Sequence, residues 1–582
     1  MLRTAIAAAG CAALVLAGVS AGAVTATPQA GSLSIQVWLK PDWDSASRFA
    51  AAVSRPGSPE FHHYLGPDAY TARFGPSTAT AQAVSDWLTA GGLEAEVSAG
   101  RDYVAASGPA STVQSVVGVQ GDTRPASLAQ AIMGVTGLGT SHASAAQTSR
   151  PAQPTCSSYW AQHVVPVHPS YRGLTRASLP ICGYSARQLR AAYGASWAFT
   201  GKGQTVALTE SAAPTAMFQT LTEYAKRNHL PAPTPSQYRE TQAGGDANCG
   251  PRARSADRYN DEAEMDSEAV YAMAPHADQL MVVGIGCDED QALLNATLSV
   301  LIGDGHRPSA SIISNSWQIP IGDVTPQTIH AITVRAAAEG VGLYFASGDT
   351  PGLTTTASDP LVTAVGGTTL GLGAGNTRVF ETSWSNDTAV LEDGEWSDLG
   401  VSGAGGGTSL TYPQPAYQKG VVPASMSHVK VGGRTAVNRA VPDIAAVGNL
   451  STGMLTGYTA SDNTYRTMVN AGTSLSAPLV AALVADAQQG RRSTFGFINP
   501  LIYRLHGTPA FHDILPVTAT TPKQNRATYT PASNTDSASI DVFDSQNPTD
   551  TNQITAKGYD TITGVGTPNG LPFILGLRLA AG

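Results

Sequence analysis

The chain has 582 residues, an apolar fraction of 42% and a charged fraction of only 13%, with a formal net charge of −9. That length exceeds one ordinary domain and predicts two to four. The acidic balance, without any run of Lys or Arg, excludes nucleic acid as a partner, and so few charges leave little self-repulsion in acid.

Residues 1–23 have the composition of a secretory signal. Arg3 gives a positive start, residues 4–18 are small and apolar, and Ala21-Gly22-Ala23 fits an A-x-A cleavage site. A membrane anchor is the alternative, but the apolar stretch is short and runs into Thr, Pro and Gly. Removal of this segment takes Cys11 with it and leaves Cys156, Cys182, Cys249 and Cys287. An even set suits two disulfides in an oxidising compartment. Three pairings are possible, and proximity in sequence favours 156–182 with 249–287. No cysteine spacing suggests a metal site.

Residues 33–120 read as a small α+β unit, with an alternating strand at Ser34–Leu39, helical stretches at 45–54 and 78–90, and short strands near 93–97 and 102–106. From about 138 to 155 the chain is rich in Ala, Ser, Thr, Pro and Gln, which suits a stalk between domains or a processing site. Beyond about 184, apolar runs at 205–209, 279–285, 310–314, 341–346 and 361–365 alternate with helical stretches at 215–227, 261–274, 290–303 and 326–339. That alternation predicts a parallel sheet covered on both faces. A further helix over 471–488 carries Pro478 in its first turn, where proline is tolerated. Gly403–Gly407 lacks the strand-then-helix setting of a nucleotide loop and is expected to be a tight surface segment.

Three elements carry chemistry. In the helix over 261–274, Glu262 and Asp266 share a face, so the two carboxylates can act as a coupled pair, while Glu264 is rotated about 200° from Glu262. Asp349 follows a buried strand, at the end where parallel α/β proteins hold their sites. Ser474, in Gly472-Thr473-Ser474-Leu475-Ser476-Ala477-Pro478, opens a helix whose N–H groups can hold an oxyanion. A serine needs an adjacent base, and here the candidate base is a carboxylate rather than an imidazole.

The Gly-Thr-Ser segment resembles the nucleophile segment of the subtilisin clan, but the His-Gly-Thr-His segment of that clan is absent, and Val206–Glu210 ends in Glu where a subtilisin has Asp. The pattern is similar instead to the sedolisin (serine-carboxyl peptidase) family. The resemblance is carried further by Ser314-Asn315-Ser316-Trp317, Val365-Gly366-Gly367-Thr368-Thr369, Gly405-Gly406-Gly407-Thr408-Ser409 with Tyr412-Pro413, and Arg439-Ala440-Val441-Pro442-Asp443. Phe61-His62-His63-Tyr64-Leu65 and Ala72-Arg73-Phe74-Gly75 are similar to its propeptide.

The resemblance implies an α/β subtilisin-like parallel sheet flanked by helices, preceded by a small α+β, ferredoxin-like prodomain. It divides the chain into a signal (1–23), a propeptide domain (24–137), a linker or processing region (138–183) and a peptidase domain (184–582). Ser474 would be the nucleophile, Glu262 the general base and Asp266 its coupled partner. Asp349, protonated in acid, would line the oxyanion hole. Glu210 and Trp317 would extend the hydrogen-bond network. Asp513 and Asp560, with the carbonyls of Ile514, Ala556 and Gly558, would hold one structural Ca²⁺. Ala556 stands where the family usually has glycine, and 516–555 is a long polar insert read as a surface loop.

The function implied is a secreted, extracellular, acid-acting endopeptidase made as a self-processing zymogen. Its partners would be protein or peptide substrates and its own prodomain, with no nucleic acid or membrane, and it is expected to be monomeric. The alternatives are a tripeptidyl-peptidase of the same family and an inactive secreted binding homologue.

Overall fold

The computed structural model describes residues 31–139, 144–145, 149–151, 155–244, 261–286, 288–322, 324–517, 526–531, 538–543 and 553–582. The signal at 1–23 and the 249–287 pairing lie outside the described residues. No helix among them is long and apolar enough to cross a membrane.

The N-terminal unit is a four-stranded antiparallel sheet in the order Glu94–Val97, Tyr103–Pro109, Ser32–Leu39, Ile132–Thr136. Its helices start on local chemistry: Ser77 accepts from Thr80 N ahead of Thr78–Ala90, and Asp42 accepts from Ser45 N ahead of Trp43–Ser54. Ile35, Val37, Leu88 and Val104 fill one core. The opposite side of the central strand is covered as well, because Gln36 Nε2 donates to Asn295 Oδ1 of the following domain at 2.7 Å. A second core is shared: Phe49, Tyr70 and Phe74 pack with Val334, Ala337, Ala338 and Phe497. Burial of apolar side chains from both units is the main adhesive between them.

The large sheet runs Tyr238–Gly244, Asp278–Ile285, Thr205–Glu210, Ile312–Asn315, Gly342–Ala346, Thr363–Leu372, all parallel. Ile444–Val447 adds in parallel to the last of these and Arg378–Ser383 adds antiparallel. Helices Asp261–Met273 and Thr473–Gln488 pack against each other, and the second is buried along its whole length. The strand order changes direction at Thr205–Glu210, which opens a crevice beyond the carboxyl ends of the strands. Arg439 and Asp443, both fully buried, form a two-pronged pair (3.0 and 2.7 Å) that ties Ile444–Val447 to its neighbour through Ala364 N.

Several expectations change. Pro478 is the sixth residue of its helix, not part of the first turn, because the helix begins at Thr473 after Gly472 at φ +97°. Gly403–Gly407 is buried rather than a surface segment: a Cβ at Gly405 would lie 2.2 Å from Ser347 O and one at Gly406 2.1 Å from Thr561 O. Only glycine permits that approach. The region 138–183 is a connector only in part. Trp160 joins the main core, Cys156 and Cys182 are disulfide-bonded, and Val164–Tyr171 and Leu174–Ser178 form a hairpin.

That hairpin closes a six-stranded sheet with Ala527–Thr530, Ala538–Phe543, Ser385–Glu392 and Glu395–Gly403. Within the 516–555 insert, two of the described stretches are therefore strands rather than surface loop. Its alternating strands Ala527–Thr530 and Ala538–Phe543 bury Tyr529 and Ile540 in a separate core.

Two short backbone pairings cross the crevice. Ala145 and Ser144 pair antiparallel with Trp317 and Gln318, and Ser149, Arg150 and Pro151 pair antiparallel with Asn470, Val469 and Met468.

Candidate active site

The acidic helix Asp261–Met273 is buried from Glu262 to Met273, so its carboxylates do not form a solvated face. Its periodicity sorts them into two sets. Glu262 and Asp266 face Ser474 and Ser316, whereas Glu264 and Glu268 face the strand Met454–Thr459, with Gly457 N donating to Glu268 Oε2 at 2.8 Å. Burial raises the pKa of Glu264 to about 9 and that of Glu268 well above the usual carboxylate range.

Ser474 is fully buried. Its hydroxyl donates to Ser316 O at 2.9 Å and lies near enough to the Glu262 carboxyl to favour that group's ionised form. Burial, then the negative charge of Asp266, push the Glu262 pKa up, and the Ser474 hydroxyl pulls against them. Asp266 is raised by burial, with hydrogen bonds from Ser316 and Glu210 opposing. Glu210, at the end of its strand, is raised by burial and by the charges of Asp266 and Glu262. Three carboxyls in one dry site cannot all ionise, so the cluster retains protons where isolated carboxylates would have lost them.

Asp349 sits in the turn after Gly342–Ala346. Its Oδ1 accepts from Thr473 N at 2.7 Å and Thr473 Oγ1 at 2.9 Å, while Oδ2 is sealed from solvent with no partner among the described residues. Burial raises its pKa to about 8. A carboxyl so raised holds its proton throughout the acid range, as an oxyanion donor requires.

Trp317 does not reach the carboxyl chain. Its Nε1 donates to Thr209 Oγ1 at 2.9 Å and its ring meets Phe345 edge-on at 5.1 Å, so it is a core residue that braces the strand bearing Glu210. Ser316 and Thr473, by contrast, gain contacts that the motifs gave no reason to single out. Only their adjacency to Trp317 and Ser474 hinted at them.

At the C-terminal loop, Gly558 N donates to Asp513 Oδ1 at 2.9 Å, and Asp560 takes donors from Ile562 N, Thr563 N, Thr563 Oγ1 and Ala556 N. The structure thus brings Asp513, Ala556, Gly558 and Asp560 together, with Ile514 next in chain to Asp513. Asp560 is wholly buried, and burial raises its pKa to about 7. A buried carboxyl answered only by neutral donors carries a charge that no protein cation balances there. Among the described residues no group of three or more His, Cys, Asp or Glu converges, so carbonyls would have to complete the ligand set.

Residues 21–123 match the model of the pro-kumamolisin activation domain, and residues 259–500 match that of the subtilase family. Kumamolisin from Bacillus sp. (strain MN-32) is 34% identical over 267 residues, 44% of this chain and 44% of that one. The chain is thus similar to sedolisin-type serine peptidases in both its activation domain and its catalytic domain. Tripeptidyl-peptidase 1 of Rattus norvegicus is 28% identical over 273 residues, 43% of this chain and 44% of the relative. The matches to these curated relatives thus span less than half of their length. In fold, the chain is similar to Pseudomonas sedolisin (serine-carboxyl proteinase), with a TM-score of 0.52 and 21% identity over 69% of this chain and 99% of that one.

Proposed function

We propose that the protein is a serine-carboxyl peptidase made as a precursor that cuts itself in acid. What supports this reading is the placement of Ser474 beside Glu262, where its hydroxyl favours the ionised form of that buried carboxyl. Among the described residues no histidine hydrogen-bonds to Ser474. In the resting precursor the hydroxyl is turned toward Ser316 O, and it must swing to Glu262 to act. Glu262, ionised, takes the proton as Ser474 Oγ attacks the carbonyl carbon. The developing oxyanion receives a hydrogen bond from the Asp349 carboxyl through Oδ2 and one from the Ser474 N–H. Glu262 then returns the proton to the leaving amine, and water repeats the cycle on the acyl-enzyme. Asp266 and Glu210 share the retained protons behind Glu262 and limit the charge accumulated there.

Endopeptidase action is the preferred reading because the chain's own backbone pairs along the crevice on both sides of Ser474, at Trp317–Gln318 and at Met468–Asn470. A polypeptide extending in both directions is thus accommodated. Secretion follows from the composition of 1–23. Calcium, held by Asp513, Asp560 and the carbonyls of Ile514, Ala556 and Gly558, would neutralise the buried Asp560 and pin the C-terminal loop.

The test is incubation of purified precursor at acid pH, with mass analysis of the new N-terminus and of peptide products. The expected first cut lies within 145–149, between the two paired stretches. Ser474→Ala and Glu262→Ala should both abolish it. Activity that survives either substitution, or that peaks near neutral pH, would sink the proposal.

A further inference from the structure

Pro478 has no N–H, so in an α-helix it leaves the carbonyl four residues earlier without its usual donor. That carbonyl belongs to Ser474. The Ser316 hydroxyl lies 3.1 Å from it and also 2.6 Å from Asp266 Oδ2. A hydroxyl carries one hydrogen and can serve only one of these acceptors as donor. All three atoms belong to fully buried residues, so water cannot supply the missing proton. Both contacts are satisfied together only when Asp266 itself carries a proton, gives it to Ser316 Oγ, and so leaves the Ser316 hydrogen for Ser474 O.

We propose that Ser316 is a positioning residue that couples the protonation of Asp266 to the helix turn bearing the nucleophile. With Asp266 protonated, Ser316 replaces the donor that Pro478 lacks and holds the Ser474 turn in place. When Asp266 ionises, the Ser316 hydrogen turns to the carboxylate and the Ser474 carbonyl is left buried without that partner. The groups that set this switch are Glu262 on the same helix, Glu210 on the adjoining strand and Asp349, whose charge acts on Glu262. All three are acids, so the device favours the proton-rich state. The inference rests on the peptidase reading for its consequence but not for its geometry.

The test is a double-mutant cycle of Ser316→Ala with Pro478→Ala, which restores an N–H to the helix, in the self-processed enzyme. Ser316→Ala alone should lower kcat about tenfold to a hundredfold with KM little changed. It should also move the alkaline limb of the kcat profile, and Ser316→Thr should restore both. In the Pro478→Ala background the loss should shrink severalfold. An equal loss in both backgrounds, an unmoved alkaline limb, or Thr as poor as Ala would overturn the proposal. The same cycle read as thermal unfolding of the Ser474→Ala precursor needs no activity. Coupling there alongside an inactive wild type would uphold the Ser316 geometry and overturn the peptidase reading alone, whereas no coupling there would overturn the geometry itself.

Discussion

Arg335 donates to the Asp102 carboxylate at 2.6 Å, joining the main domain to the N-terminal unit through a guanidinium that is almost wholly buried. The same side chain reaches Thr71 Oγ1 at 3.3 Å and Glu339 Oε1 at 2.9 Å. One arginine thus gathers two contacts from the N-terminal unit, at the edge of the shared apolar core.

Removing Asp102 is expected to weaken the contact by about 2 kcal/mol, the usual worth of a hydrogen bond to a charged group, because Glu339 still accepts from the guanidinium. Asp102→Asn removes the carboxylate from this junction while keeping the side chain's shape. The full-length Asp102→Asn precursor should therefore process at a higher pH than wild type. A time course of processing across pH checks this, and an unchanged midpoint contradicts it.

The raised carboxyl pKa values fix the sign of the pH dependence of stability. Asp349 is at about 8 and Glu264 at about 9 when folded, against about 4 for free carboxyls. The folded state therefore binds more protons than the unfolded state between these limits, and its stability falls as pH rises. The contribution is complete below about pH 4 and lost by about pH 9. The Ser474→Ala precursor, which should not cut itself, is expected to melt at progressively lower temperature from pH 4 to 9 in calorimetry. Asp349→Asn should flatten that slope.

Asp349 should be needed as a hydrogen-bond donor. Asp349→Ala is expected to lower kcat by roughly 10²–10³, the usual effect of losing one oxyanion donor. Asp349→Asn keeps an N–H₂ whatever the pH, so it should retain more activity than Ala. Steady-state kinetics on the two variants decide the matter.

The Cys156–Cys182 bond closes a loop with a sequence separation of 26. Chain-entropy arguments give about 3 kcal/mol for such a loop. The pair Cys156→Ser with Cys182→Ser should lower the denaturant midpoint accordingly, without altering which bond is processed.

Chelation should lower the melting temperature of the precursor if a cation holds the C-terminal loop. Asp513→Ala, at an exposed position, should remove the response to added Ca²⁺ while leaving the apo melting temperature near that of wild type. A chelator that has no effect on wild type would refute calcium at this loop.

Much of this protein was determined by its sequence alone. Periodicity set the alternation of strand and helix from Thr205 to Gln488, and the four-residue spacing of Glu262 and Asp266 placed both carboxyls on one helix face, because side-chain direction follows directly from backbone geometry. The tertiary structure decided what those residues meet. Burial, which no local pattern encodes, turned Gly403–Gly407 inward, made Glu264 and Glu268 part of the interior and raised Asp349 to about 8. Long-range pairing drew Val164–Tyr171, Leu174–Ser178, Ala527–Thr530 and Ala538–Phe543 into one sheet and turned Trp317 to Thr209 instead of the acid chain. The same packing set Ser316 between Asp266 and Ser474, residues far apart in the chain. Desolvation and hydrogen bonding depend on neighbours brought together across hundreds of residues, and only the folded arrangement fixes them.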